Sequence, residues 1–171
     1  MRNKTFTFGV TLLVLINLKL LGFSTDTTRS RKPLPLEAVR SIQLDTDQGT
    51  WISLDVSPDG QTIVFDFLGD LYTIPITGGD ATQITSGMAY DVLPHYSPDG
   101  KSILFVSDRS GGENLWIMNI ESRDTIQVTT GNNHRYQSPE WSPDGEYVFA
   151  SRVEGRRGAH KIWMFHREGG S

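Results

Sequence analysis

Ser57-Pro58-Asp59-Gly60 recurs as Ser97-Pro98-Asp99-Gly100 and as Ser142-Pro143-Asp144-Gly145, the starts 40 and then 45 residues apart. A period in this range points to a repeat architecture. Each copy carries its own turn chemistry. Proline presets φ at the first corner, aspartate bonds back to nearby backbone, and glycine accepts the left-handed conformation. Gly60, Gly100 and Gly145 therefore define the turns, and the apolar runs flanking each copy predict a β-hairpin there.

Working outward, the first unit contains four short runs, at 51–56, 62–67, 71–76 and 81–85. The second matches at 92–96, 102–107, 115–120 and 125–129, and the third at 137–141, 146–152 and 162–165. Aligned on the turn, the second runs read Ile63-Val64-Phe65, Ile103-Leu104-Phe105 and Val148-Phe149-Ala150, apolar on both faces. Strands buried on two sides look like this. Four-stranded sheets stacked around an axis bury both faces, which is a β-propeller. A sandwich has no need of a four-strand unit repeated at this spacing. The expectation is an all-β partial propeller, an open arc of blades at about 50–86, 91–130 and 136–171. The third is expected to lack its last strand, because the 13-residue step from Leu71 to Ile84, or from Leu115 to Val128, runs past Ser171 when taken from Ile162. The chain therefore reads as the front of a longer polypeptide. A run at 39–44 precedes the first unit and is expected as a lone strand belonging to a final blade.

The N-terminus has the layout of a secretory signal over residues 1–24: Arg2 and Lys4, then an apolar core, then Gly22 and Ser24 at a small-residue cleavage site. The uninterrupted apolar run is about half of the ~20 residues that span a bilayer. An exported protein, periplasmic or extracellular, with no stable membrane insertion after cleavage, is expected. Residues 25–38 are polar, basic and proline-containing, a flexible lead-in. The chain has 16 Lys+Arg against 20 Asp+Glu. Removing the leader, with its three Lys+Arg, leaves 13 against 20, a net −7. That balance argues against a nucleic-acid partner, which calls for a basic stripe. There are no cysteines, so disulfides, thiolate metal sites and a cysteine nucleophile are excluded.

No Gly-x-Ser-x-Gly elbow, His-Glu-x-x-His or phosphate-binding glycine loop is present. No catalytic residue and no metal ligand is expected in this chain. Two constellations remain. Two residues before each turn serine stand Asp55, His95 and Glu140, at one level on the innermost strands. They are candidates for lining a central channel, against the simpler reading of a solvated wall. The loops between second and third strands lengthen from 68–70 to 108–114 to 153–160. The last carries Arg156, Arg157 and His160, and the linker before the third unit carries His134 and Arg135. Both loop types emerge on one rim, giving a basic patch able to bind an anionic group or an acidic domain face, against the simpler reading of solvated charges.

The Ser-Pro-Asp-Gly turn, the Leu71-Tyr72 and Leu115-Trp116 strand starts and the closing Gln83-Ile84-Thr85 resemble the TolB-type propeller repeat. The segments 45–51, 54–60, 69–76 and 162–166 resemble the N-terminal propeller of secreted bacterial metal-dependent amidohydrolases. That resemblance implies a scaffold or gate for a downstream barrel. A divalent, zinc-type metal is implied only in that barrel, whose His-x-His motif is absent here. The implied partner is a downstream catalytic domain or an envelope protein. Two other functions fit the repeat: a stand-alone TolB-type protein-binding module of the envelope, and the propeller of a prolyl-oligopeptidase-type serine peptidase.

Overall fold

A computed structural model of the chain describes residues 43–154 and 158–169. Among these, the regular structure is entirely β. Strands β1 (Leu54–Val56), β2 (Thr62–Phe67), β3 (Asp70–Pro75) and β4 (Thr82–Gln83) form one antiparallel sheet in chain order. A second sheet repeats the pattern with β5 (Asp91–Tyr96), β6 (Ser102–Ser107), β7 (Asn114–Asn119) and β8 (Thr125–Gln127). The third has three strands, β9 (His134–Trp141), β10 (Tyr147–Glu154) and β11 (His160–His166). The expected open arc of two four-stranded blades and one lacking its last strand is what forms. Most of the run at 39–44 lies outside the described residues, and Gln43 and Leu44 are not in a strand.

The three turns are built from the same bonds. The glycine N–H reaches the serine carbonyl at 2.8, 2.8 and 2.9 Å, with φ of 69°, 70° and 74° at Gly60, Gly100 and Gly145. Ser57 Oγ donates to Asp59 Oδ1 at 2.6 Å, Ser97 Oγ does the same to Asp99, and Ser142 Oγ to Asp144. Each serine oxygen also accepts the N–H of the residue that opens or precedes the next strand, at 2.9 Å from Thr62, Ser102 and Tyr147. The aspartate takes the N–H two residues on, at 3.0 Å from Gln61, Lys101 and Glu146. Register follows: Asp55 faces Val64, His95 faces Leu104 and Glu140 faces Phe149. Two innermost strands, β5 and β9, kink at register shifts around Leu93 and Ser138, where φ is 56° and 48°.

Packing between sheets makes two cores. Val64 and Leu71 of the first sheet bury against Tyr96, Ile103, Phe105 and Met118 of the second. On its other face, the second sheet packs Leu104, Val106, Leu115, Ile117 and Val128 against Tyr136, Val148 and Ala150 of the third. Each such aliphatic side chain is stabilising by about 1.5–3 kcal/mol when fully buried. Burial on both faces, expected for every blade, holds only for the middle sheet, where β6 is buried along its whole length. In β2 burial alternates, because a neighbouring sheet covers one side alone. The same repeat position is 0% exposed at Leu71 and Leu115 and 83% exposed at Ile162.

A Cβ added at Gly60 would meet nothing within 4 Å. Gly60→Ala should therefore lower stability by about 1 kcal/mol through backbone strain alone. Urea unfolding at unchanged m-value is the check, and an unaltered midpoint would contradict the turn geometry.

Candidate functional site

The predicted channel residues lie on β1, β5 and β9, adjacent across the arc, but they are engaged in holding sheets together. Asp55 Oδ2 accepts the N–H of Tyr96 in the next blade at 2.8 Å, and its Oδ1 accepts that of Val56 at 2.8 Å. His95 Nδ1 lies 3.7 Å from Glu140 Oε1, and the His95 carbonyl accepts Trp141 Nε1–H at 3.2 Å. Burial pushes the Tyr96 phenol up to about 12, with Asp55 and Asp59 adding to the effect. Asp55 thus acts as a strut between first and second blades, and His95 with Glu140 spans second and third. Gly60, Gly100 and Gly145 sit at the opposite ends of the hairpins from the loop rim.

At that rim, His134, Arg135 and His160 come to one end of the third sheet, where Arg135 and His160 both pair with Val153. Arg135 is exposed. His160 Nδ1 is 3.2 Å from Ser151 Oγ. His134 turns its ring edge-on to Tyr136, and its buried Nδ1 has no hydrogen-bond partner. Arg156 and Arg157 lie outside the described residues.

Sequence reasoning missed the carboxylates and loop cations that join the blades. Asp66, 5% exposed, takes Ser53 N–H at 3.1 Å with one oxygen and Leu93 N–H of the next blade at 2.9 Å with the other. Glu113 accepts the N–H of Tyr136 at 3.2 Å. Arg109 folds back from the β6–β7 loop, donating to Asp91 Oδ2 at 2.8 Å and through Nε to Ser107 Oγ at 3.0 Å. Its guanidinium lies over the rings of Phe105 and Trp116, at 4.9 and 5.1 Å from their centroids. Beside it, a cavity of about 300 Å³ opens between the first two blades. The clue available in sequence was a comparison of equivalent positions: Asp70 of the first unit stands where the second has Asn114. Asn114 Nδ2 donates to Ser110 Oγ and to the carbonyls of Gly112 and Gly131, while Asp70 has one oxygen on Gln83 Nε2 at 2.9 Å and a buried Oδ1 with no partner. Burial and then the charge of Asp91 push the Asp70 carboxyl above its ordinary range.

Among the described residues, no three of His, Asp or Glu converge as a metal site. What this arrangement does chemically is join blades by charge-assisted bonds, leaving a grooved, arginine-bearing seam.

The TolB beta propeller domain matches residues 35–170. The chain belongs to that family. An uncharacterized protein of Agrobacterium fabrum is 31% identical over 96 residues, covering 54% of this chain and 32% of its own. Dipeptidyl-peptidase 5 of Porphyromonas gingivalis is 29% identical over 111 residues, covering 54% of this chain and 16% of its own. A solved structure described as a TolB-type protein of Agrobacterium tumefaciens superposes with a TM-score of 0.60 at 25% identity, covering 68% of this chain and 45% of that one. The TolB-type chain spans about a third or less of these curated relatives. None of the three is described as an amidohydrolase, so that closer resemblance rests on the sequence segments alone.

A pH-dependent effect of Asp70 on this TolB-type fold follows. Its carboxyl is raised in the folded state, so the stability contributed by its proton is present below the ordinary value of 3.8 and is lost as pH rises through the folded value. Asp70→Asn should raise the urea midpoint at pH 7 and leave it unchanged near pH 3. The reverse pattern would show that the charge is compensated.

Proposed function

We propose that this chain is the non-catalytic propeller section of an exported hydrolase, a scaffold and gate for a catalytic domain encoded outside residues 1–171. One observation carries the reading: dipeptidyl-peptidase 5 contains a homologous stretch that fills only 16% of its length, so this repeat occurs inside a much larger hydrolase. The blade seams support a scaffolding role, since Asp55, Asp66 and Glu113 each accept a backbone N–H from the next sheet. The rim with His134, Arg135 and His160 is the face offered to the partner domain.

Two catalytic partners are consistent with this role. The segments 45–51, 54–60, 69–76 and 162–166 favour a metal-dependent amidohydrolase barrel, and the dipeptidyl-peptidase relative favours a serine peptidase. The coding sequence after Ser171 separates them: His-x-His within a barrel pattern supports the first, Gly-x-Ser-x-Gly the second. Further repeats followed by a stop would replace both with an envelope protein-binding module.

The purified chain is expected to hydrolyse no amide, ester or peptide substrate, and in a Gram-negative host its product is expected in the periplasm without residues 1–24. Turnover that co-purifies with the chain, or an unprocessed cytoplasmic product, would count against the reading.

A further inference from the structure

The seam between the first and second blades holds an arginine that the turn geometry does not want. Arg123 lies in the β7–β8 turn with φ of 65°. The turns at the same place in the other sheets put glycine at positive φ, 84° and 117° at Gly78 and Gly79 and 77° at Gly169. An L-residue there is strained, and such strain persists where something else favours the side chain. Yet among the described residues the Arg123 guanidinium has no hydrogen bond or ion pair. It lines the cavity of about 300 Å³ between the blades.

Arg109 lines the same cavity, held by Asp91, Ser107 and the two aromatic rings. Asp91 offsets one of the two positive charges, leaving one. Glu121 and Asp124, on the same turn as Arg123, do not line the cavity. The rest of the lining mixes the apolar side chains of Ile84, Met88, Ala89 and Met118 with the hydroxyls of Thr85, Ser86 and Thr125. A guanidinium without an ion-pair partner, beside Ile84, Met88 and Met118, suits a monoanion that carries an apolar group, and its planar fork matches a carboxylate through two parallel N–H bonds.

We propose that this cavity binds a carboxylate adjoining an apolar side chain, as presented by the C-terminal residue of a polypeptide or by a short aliphatic acid, with Arg123 as the specificity-determining contact. The site is independent of which catalytic domain accompanies the propeller.

The test titrates the full chain with N-acetyl-Ala-Leu, with the same peptide amidated, and with hexanoate, following binding by calorimetry. The free acid is expected to bind at least tenfold more tightly than the amide. Arg123→Gly is expected to weaken it tenfold while raising Tm, because glycine relieves the turn as it removes the contact. A peptide stronger than hexanoate assigns a polypeptide C-terminus, and the reverse order assigns an aliphatic acid. Equal binding of acid and amide, no binding of either acid, or an unchanged affinity in Arg123→Gly would overturn the proposal.

Discussion

A serine hydroxyl held between two partners sets the geometry of each sheet among the described residues. In each turn it donates to the aspartate two residues on and accepts the N–H five residues on, so the corner has one closure. A slip of one residue would move every side chain of the strand to the opposite face. The turn aspartates Asp59, Asp99 and Asp144 are held below the ordinary carboxylate range, first by the serine hydroxyl and then by the backbone N–H they accept. Their contribution is therefore present above the unfolded value and lost as pH falls through the folded one.

With register fixed, the seams between blades use two kinds of contact. Aliphatic and aromatic side chains fill the middle of each seam, and carboxylates tie its edges by accepting backbone N–H groups from the next sheet. Asp55 and Asp66 do this for the first seam and Glu113 for the second. A buried N–H left without a partner costs roughly 1–3 kcal/mol, so these acids are structural even though they look solvent-directed in sequence.

Local signals made the fold legible. Proline, aspartate and glycine at each corner, with apolar runs of five or six residues beside them, act over distances that a short window captures. Strand ends were less legible: β9 begins at His134 and β11 at His160, extended by pairing that local composition does not encode. The seams were not legible, since Asp66 meets Leu93 across 27 residues and Asp55 meets Tyr96 across 41. For the same reason the bonds that Asp55 accepts from Val56 and Tyr96 N–H were not foreseen from its place two residues before the turn. The contrast between Asp70 and Asn114 was visible, but its meaning depends on the carbonyls of Gly112 and Gly131, which only the folded loop brings together.

The alternating burial of β2 against the continuous burial of β6 has a dynamic consequence. Where each unit touches only its neighbours, stability is a sum of unit and interface contributions, as in a one-dimensional chain of coupled spins. Among the described residues, the middle sheet takes part in both inter-sheet cores and each flanking sheet in one. Opening then proceeds from the flanks inward, with the amides of Ser102–Ser107 the last to exchange with solvent and those near Ile162 among the first.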